Sequence, residues 1–396
     1  MFWKQDGIDF KYLKEYSYRD ILGAVMGDKK IVVVQLSGGN DYLNCIIPYT
    51  NSEYLDNRPN VRITEEKVLP IGGGLGMNPS MAPIKELFDD GKVAIIHGTG
   101  YPDPNRSHFR SMDIWHTAEP ETVLNEGWLG KASRAIDPKG ENALTSINFG
   151  RGLPRALASH GVPVASVGNL ETYGLFPDVD NGQEKDRILS AFSQMYAGTD
   201  GKTAVLDFLG QTGTDALKGA DILRTAPALY SSSVEYASNS IAQSMKSIAQ
   251  VMFADLGTRI YYTQHGGFDT HQGELITHSN LWKEVAGAVG DFMDDLKEHS
   301  REDEVIILIF SEFGRRIKDN GSGTDHGSGG GAFVIGKNVH GGMYGQYPAL
   351  AEVDQLEGDL LFNNDFRSTY STILEQWLKI DPKPIVHGTF EQFSFV

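Results

Sequence analysis

The chain of 396 residues has a single cysteine, Cys45, and no long apolar run. One thiol cannot form an intrachain disulfide, so the fold does not depend on an oxidising compartment. A membrane-spanning helix needs ~18 or more consecutive apolar residues, so we expect no membrane span. Residues 1–28 are polar and charged and lack the apolar segment of a signal peptide. From these absences we expect a cytoplasmic protein.

Positive charge is also scarce, because 35 Lys and Arg residues stand against 52 Asp and Glu, and the net charge is −17. Nonspecific nucleic-acid binding rests on a basic surface, so we expect no nucleic-acid partner. The sequence has no P-loop, no G-x-G-x-x-G after a strand and no G-x-S-x-G elbow. Residues 72–76 are rich in glycine but do not follow a core strand, and we interpret them as a turn.

Short β-branched runs alternate with amphipathic segments, which is typical of an α/β fold with a mostly parallel sheet. We predict strands at 31–36, 93–97, 144–149, 259–263, 305–310 and 331–336. We predict helices at 79–91, 184–197, 202–224, 233–255, 279–299 and 367–379. Residues 1–28 are predicted to be a polar lead-in. Residues 29–396 are predicted to be one α/β domain of three α/β/α layers, with a largely helical insertion around 120–255.

Acidic and histidine residues follow several of these predicted strands. In open α/β sheets, ligands bind outside the carboxyl ends of the strands, so these positions are the first candidates for a site. The candidates are Asp41 after the first strand, Asp269 and His271 after strand 259–263, Glu312 after strand 305–310, and Asp325 and His326 in the loop beyond it.

Carboxylates together with imidazoles suit Zn²⁺ or Mn²⁺, and carboxylates with water suit Mg²⁺ or Ca²⁺. We therefore predict a divalent metal site with Asp41, Asp269, His271, Glu312, Asp325 and His326 as ligands. Each residue also has a structural interpretation: Asp41 as a turn or helix-capping residue, Glu312 as the ion-pair partner of Arg315, and Asp325 as a cap beside an exposed His326.

Ser107 is the candidate nucleophile, since it stands where a helix is predicted to begin and a helix N-terminus favours anions. A plain capping serine is the alternative interpretation. His108 could assist Ser107 in catalysis or bind substrate. Asn40 and Arg315 are the candidate substrate-binding residues, and the histidines outside the predicted site are interpreted as structural or surface residues.

Five segments of the chain resemble, in order, the motifs of the DUF1501 family. They are Leu36-Ser37-Gly38-Gly39-Asn40-Asp41, Arg106-Ser107-His108-Phe109, Gly267-Phe268-Asp269-Thr270-His271, Ser311-Glu312-Phe313-Gly314-Arg315 and Asp325-His326-Gly327. That family is grouped with the alkaline phosphatase-like superfamily, which includes phosphatases and sulfatases. The resemblance implies an alkaline phosphatase-like fold, with Asp41, Asp269, His271 and His326 on metal and Ser107 as nucleophile. Many members of the family are exported, so the resemblance favours a periplasmic location as the alternative.

Two departures from the superfamily pattern bear on chemistry. Asp269 and His271 are closer together than the usual pair, and Ser311-Glu312 stands where an Asp-His pair is usual. His265 or Asp325 could replace the missing ligand, and one metal, a different metal or a degenerate site all remain open. We expect a metal-dependent hydrolase of phosphate or sulfate esters, acting on a small-molecule or glycan-linked anionic ester. A non-catalytic binding or scaffold protein with the same fold is the alternative.

Overall fold

The computed structural model describes residues 29–170 and 223–396, together with the single residues 173, 187, 191 and 219. The predicted lead-in at 1–28 and most of the helices predicted at 184–197 and 202–224 lie outside the described residues. Among the described helices, none has the length and apolar character needed to cross a membrane.

Twelve strands are formed in the described part of the chain. They are β1 (Lys30–Ser37), β2 (Ile46–Ile47), β3 (Leu69–Gly72), β4 (Leu75–Met77), β5 (Val93–Gly100), β6 (Ser146–Phe149), β7 (Ala165–Ser166), β8 (Ile260–Gly266), β9 (Val305–Ser311), β10 (Gly330–Ile335), β11 (Gly342–Tyr344) and β12 (Asn364–Asp365).

The α-helices of this part are shorter on average than the sequence predicts. They are α1 (Ser52–Asn57), α2 (Ala82–Asp89), α3 (His108–Thr117), α4 (Trp128–Ile136), α5 (Ala226–Leu229), α6 (Ser240–Phe253), α7 (Glu274–Glu298), α8 (Phe366–Thr372) and α9 (Lys383–Val386). Helix α8 continues into a π-helical turn at Ile373–Trp377. Short 3₁₀ turns occur at Tyr42–Asn44, Glu65–Lys67, Pro79–Met81, Arg155–Leu157, Glu302–Glu304 and Glu352–Asp354.

The central sheet has nine strands in the order β11-β5-β10-β9-β1-β8-β6-β7, with β12 beside β5. Strand β1 pairs in parallel with both β8 and β9, and β6 pairs in parallel with β8. Strand β10 is antiparallel to its two neighbours, so β5 and β9 point the same way. The prediction of a mostly parallel sheet is confirmed.

Alternate residues of β1 enter two separate cores, which shows that the sheet is covered on both faces. Val32 and Val34 pack in one core with residues of α6 and α7. Ile31 and Val33 pack in the other with residues of α3, α4 and α8. Side chains alternate between the faces of a strand, so a strand that is apolar throughout, such as β1, must lie between two layers. The predicted α/β/α layering is confirmed.

The small second sheet, β2-β4-β3, includes the glycine-rich segment interpreted as a turn. Gly73 and Gly74 join β3 to β4 and have positive φ angles of 64° and 75°. Two successive residues with positive φ are the signature of a type I′ hairpin turn, which glycine adopts without strain. The turn interpretation is confirmed.

The range 120–255 contributes to the central layers where it is described. Strands β6 and β7 extend the main sheet, and helix α6 packs against α7. The division into a lead-in and one domain with a helical insertion stays a prediction.

Candidate metal centre

Three connections bring their side chains to the same edge of the sheet. The segment after β5 leads to His108, the first residue of α3. The segment between β8 and α7 contains Asp269 and His271, and the loop between β9 and β10 contains His326. Because β5, β8 and β9 run in one direction, their carboxyl ends meet at one edge, where ligands of α/β sheets bind.

The ring nitrogens of three histidines converge on one carboxylate oxygen. His326 Nε2 lies 3.0 Å from Asp269 Oδ1, His271 Nε2 lies 3.1 Å from it, and His108 Nε2 lies 3.5 Å from it. His326 Nε2 is also 3.0 Å from the Nε2 atoms of His108 and His271. Among the described residues, His108, Asp269 and His326 form a group that could hold a metal ion.

The second ring nitrogen of each histidine contacts an oxygen acceptor. His108 Nδ1 is 2.8 Å from Glu312 Oε1, and His271 Nδ1 is 2.9 Å from Asp325 Oδ1. His326 Nδ1 is 2.9 Å from the carbonyl oxygen of Arg106, which can only accept a hydrogen bond. This pairing of each ring with an oxygen is the usual support of metal-bound histidines, since it fixes the tautomer and the ring orientation.

The tautomers that follow from these contacts leave the centre of the cluster rich in lone pairs. When each Nδ1 donates its proton, each neutral ring presents a bare Nε2. The three Nε2 atoms then lie 3.0–3.5 Å from the anionic oxygen of Asp269, and those of His108 and His271 each lie 3.0 Å from that of His326. Atoms with lone pairs at these distances repel one another unless a proton or a cation lies between them. Zn–N bonds of ~2.0–2.1 Å in a tetrahedral site place ligand atoms ~3.3 Å apart, close to the spacings here. The donor set therefore fits a divalent cation.

Asp269 is kept anionic by Arg315. Burial raises the pKa of this carboxyl group, but the hydrogen bond from Arg315 and its charge outweigh burial and lower the pKa to about 2. The Arg315 Nη2–Asp269 Oδ1 distance is 2.6 Å. A pKa of about 2 keeps Asp269 ionised at neutral pH, which is the form that a metal ligand needs.

The structure does not direct Arg315 toward a substrate, contrary to the sequence-based expectation. Its side chain is 0% exposed. Nε donates to the carbonyl of Gly39, Nη1 to that of Thr324 and Nη2 to that of Phe268. A buried charged donor must find acceptors within the protein. The guanidinium therefore joins the segments that follow β1 and β8 to the loop between β9 and β10.

Asp41 does not join the cluster, although the sequence predicts it as a ligand. Arg58 binds both of its carboxylate oxygens, with an Nη2–Oδ1 distance of 2.9 Å and a second contact from Nη1. Burial raises the pKa of Asp41, but Arg58 outweighs burial and lowers it to about 2. Asp41 is an ionised carboxylate, yet Arg58 supplies its positive partner in place of a metal.

A second carboxyl group, Glu274 at the start of α7, lies beside Asp41. Burial and then the charge of Asp41 raise its pKa well above the ordinary range, which favours the protonated form of Glu274. It accepts hydrogen bonds from Thr324 Oγ1 at 2.5 Å and Asn44 Nδ2 at 3.0 Å. These contacts link the start of α7 to the loop that contains His326.

Glu312 and Asp325 contact the outer ring nitrogens, Nδ1, of His108 and His271 and do not lie among the converging Nε2 atoms. Glu312 Oε1 accepts from the backbone N–H of Gly38 at 2.8 Å in addition to His108, and its Oε2 accepts from Ser311 Oγ at 2.9 Å. The hydrogen bond to His271 lowers the pKa of Asp325. Both carboxylates have the geometry of groups that orient histidines, which differs from the ligand role predicted for them.

The remaining predicted site residues occupy different settings. Ser107 is exposed and precedes α3, and its side chain makes no capping hydrogen bond. Asn40 is buried, and its Oδ1 accepts from Trp282 Nε1 at 2.9 Å and lies 3.0 Å from His278 Nε2, so it does not face a ligand. His265 is buried beside Glu284, at 3.1 Å between Nε2 and Oε2, and does not replace a missing ligand.

The chain is similar to one family and to several solved structures. The model of DUF1501, described as a protein of unknown function, matches residues 94–376. This chain belongs to the DUF1501 family. One of the matched solved structures is described as a protein in the alkaline phosphatase superfamily from Vibrio parahaemolyticus, and it is 9% identical over 82% of this chain and 64% of that protein, with a TM-score of 0.37. No curated protein matches at a significant level.

The matched solved structures share little sequence with this DUF1501 member. The PsFucS1 sulfatase from Pseudoalteromonas sp. is 12% identical over 94% of this chain and 72% of the sulfatase, with a TM-score of 0.41. The C-terminal periplasmic domain of EcEptC from Escherichia coli, in complex with Zn, is 8% identical over 78% and 74%, with a TM-score of 0.37. The phosphonate monoester hydrolase of Agrobacterium radiobacter is 10% identical over 90% and 77%, with a TM-score of 0.37.

Replacing Arg58 by Met should expose the dependence of the fold on its ion pair with Asp41. The change leaves a fully buried carboxylate without its partner, which costs ~3–5 kcal/mol of unfolding free energy. Chemical denaturation followed by tryptophan fluorescence measures the loss.

The double variant Arg58→Met/Asp41→Asn should recover part of that free energy because it removes the unpaired charge. The exposed pair Lys139 and Glu141 offers a control, since breaking a surface pair costs ~1 kcal/mol or less. An Arg58→Met variant no less stable than Lys139→Met would contradict the assignment.

Replacing Glu312 by Gln should weaken metal binding without removing a ligand. Loss of an oxygen that orients a bound histidine lowers metal affinity ~10–100-fold. Competition with a chelating dye measures the affinity, with Glu284→Gln beside His265 as the control. Equal affinities for the two variants would show that Glu312 does not support the site.

Proposed function

We propose that this protein is a metal-dependent hydrolase of phosphate or sulfate esters. The observation that carries the proposal is the convergence of three histidine Nε2 atoms on Asp269 Oδ1, each ring being held from behind by an oxygen. A lone-pair cluster of this kind is expensive unless a cation neutralises it, and it lies at the ligand-binding edge of the sheet.

The site supports one metal. His108, Asp269, His271 and His326 would hold it, while Asp41 is neutralised by Arg58. Three nitrogen donors and one oxygen favour Zn²⁺ or another first-row transition metal over Mg²⁺ and Ca²⁺, which prefer oxygen ligands. When bound, such a cation supplies Lewis-acid stabilisation of charge on an ester oxygen.

Ser107 is the proposed nucleophile. Its hydroxyl is exposed directly before His108, at the start of an α-helix whose amide dipoles favour negative charge. Attack of Oγ on phosphorus or sulfur would release the ester alcohol, with the Oγ proton passing to solvent and the alkoxide taking one up. Water would then hydrolyse the enzyme ester and restore the hydroxyl.

Arg106 and Arg316 are better placed than Arg315 to bind an anionic substrate. Their side chains are 36% and 37% exposed, and both contact the buried carboxylate of Asp359. The carbonyl of Arg106 contacts His326, and Arg316 is close enough to Asp325 to lower the pKa of that carboxyl group. Each has part of a guanidinium available beside the cluster, and guanidinium groups match phosphate and sulfate oxygens.

A non-catalytic binding protein is the second candidate, and the ion pair of Asp41 with Arg58 favours it. The resemblance assigns Asp41 to a metal, but here this carboxylate is paired with Arg58. The loss of a metal ligand is expected in a protein that no longer catalyses the reaction. Under this proposal the cluster still binds metal, but no ester is turned over.

Metal content tests the assignment of the ligands. Wild-type protein dialysed against Zn²⁺ should retain about one equivalent by elemental analysis, and His326→Ala should retain little, because three of the five contacts within the cluster involve His326. His340→Ala, which changes an exposed histidine bonded to the carbonyl of Ser394, is the control. Full retention of zinc by His326→Ala would overturn the site.

Turnover of aryl phosphate and aryl sulfate esters with Zn²⁺, Mn²⁺, Mg²⁺ or Ca²⁺ separates the two candidates. We expect hydrolysis that falls by at least ~10³-fold in Ser107→Ala, since an activated nucleophile carries the first step. Ser52→Ala, at the start of α1, removes another exposed serine and should leave the rate unchanged. If no ester is hydrolysed while zinc is bound, the binding protein is the correct interpretation.

A further inference from the structure

A cavity lies at the carboxyl ends of β6 and β7, on the same edge of the sheet as the candidate metal centre. It is a cleft of about 530 Å³ between helix α6 and the segments that follow β6 and β7. Gln264 of β8 lines it, and the same strand continues to Asp269 and His271. The register places Phe149 of β6 opposite Thr263 of β8, so both strands end at this edge.

The wall formed by α6 carries an unusual set of side chains for an exposed helix face. Residues at spacings of three or four along one stripe line the cleft: Ser240, Gln243, Ser244, Ser247 and Gln250. The opposite stripe of α6, with Ile241, Met245 and Ile248, is buried in the core. Exposed helix faces usually carry several charged residues, whereas the part of α6 that lines this cleft offers hydroxyl and amide groups and a single charge, that of Lys246.

The charged groups at the cleft are all positive among the residues that line it. Arg151 follows β6 and Lys246 lies on α6, and among the residues that the structure describes no Asp or Glu lines the cleft. This holds in a chain whose net charge is −17, so the local sign differs from that of the whole molecule. A ligand with negative charge is favoured here, and a cationic one is disfavoured.

Hydroxyl and amide side chains both donate and accept hydrogen bonds, which matches ligands dense in hydroxyl groups. A lipid would need an apolar wall, and a nucleobase would need exposed aromatic faces. The only aromatic residue that lines the described cleft is Phe149, which is buried. The volume lies within the ~300–1,000 Å³ usual for ligand pockets. The chemistry therefore fits a polyhydroxylated anion.

We propose that this cleft binds the carbohydrate part of an anionic glycan whose ester group reaches the metal centre. Neighbouring strands are ~4.8 Å apart, and β6 is the neighbour of β8, the strand that leads to Asp269 and His271. A glycan of two or more sugar units can therefore extend along the sheet edge from the cleft toward the candidate metal centre. The inference rests on the proposed function in placing the ester at His108, Asp269 and His326.

Isothermal titration of the full chain with sulfated oligosaccharides from heparin, chondroitin sulfate and carrageenan, and with phosphomannan oligosaccharides, tests the cleft. At least one should bind, and Gln243→Ala/Gln250→Ala should weaken its Kd by tenfold or more. The turnover of small aryl esters should be unchanged in that variant. Gln346→Ala, an exposed glutamine after β11, is the control and should bind as the wild type does.

Two results would overturn the inference: no binding of any of these oligosaccharides, or equal Kd values for the wild type and the cleft variant. The double variant His108→Ala/His326→Ala separates this outcome from failure of the proposed function. If it still binds the glycan while no ester is hydrolysed by the wild type, the cleft stands and the hydrolase proposal fails. If the wild type hydrolyses aryl esters but binds none of the glycans, the hydrolase proposal stands and the cleft proposal fails.

Discussion

The fully buried guanidinium of Arg315 constrains the edge of the sheet at which the candidate site lies. A charged group removed from water must have every donor satisfied, and Arg315 achieves this with carbonyls of three different connections and with Asp269. Gly38 permits the close approach that this arrangement needs. A Cβ at Gly38 would lie 2.3 Å from the backbone nitrogen of Asp269, and its φ of 123° is one that other residues rarely adopt. The geometry of the cluster follows from where these connections are held.

The fully buried ion pair of Arg58 with Asp41 also holds separate connections together. Arg58 also donates to the carbonyls of Arg316 and Ile317, so it fixes the chain directly after Arg315. Glu274, whose protonated form is favoured by burial and by the charge of Asp41, connects the start of α7 to Thr324. A protonated carboxyl beside an ionised one satisfies two buried oxygen-rich groups with a single positive charge. The histidine cluster is thus supported by a network whose own charges are already balanced.

The sequence predicts the sheet, its layers and the edge at which the candidate site lies, because β-branched runs and strand-end polar residues are local signals. It does not predict which strand-end carboxylate meets a histidine and which meets an arginine. Asp41 and Asp269 look alike as residues after a strand, yet Arg58, 17 residues beyond Asp41, decides the role of the first. His108 was expected beside a nucleophile, and its position among the ring nitrogens follows from how the segment after β5 packs against the loop of His326. Such partners depend on tertiary contacts that no spacing encodes.

The Ser311-Glu312 pair gains a physical explanation from this arrangement. A histidine is absent at that strand end, but His108 contributes its ring from the start of α3, and Glu312 holds that ring through Nδ1. In the proposed site, the carboxylate after β9 therefore orients a nitrogen ligand and does not contact the cation itself. The additional nitrogen would raise the preference of the ligand set for transition metals, and Asp41, paired with Arg58, would not be free to bind a second cation. Both features favour the proposal of a single, nitrogen-rich metal site.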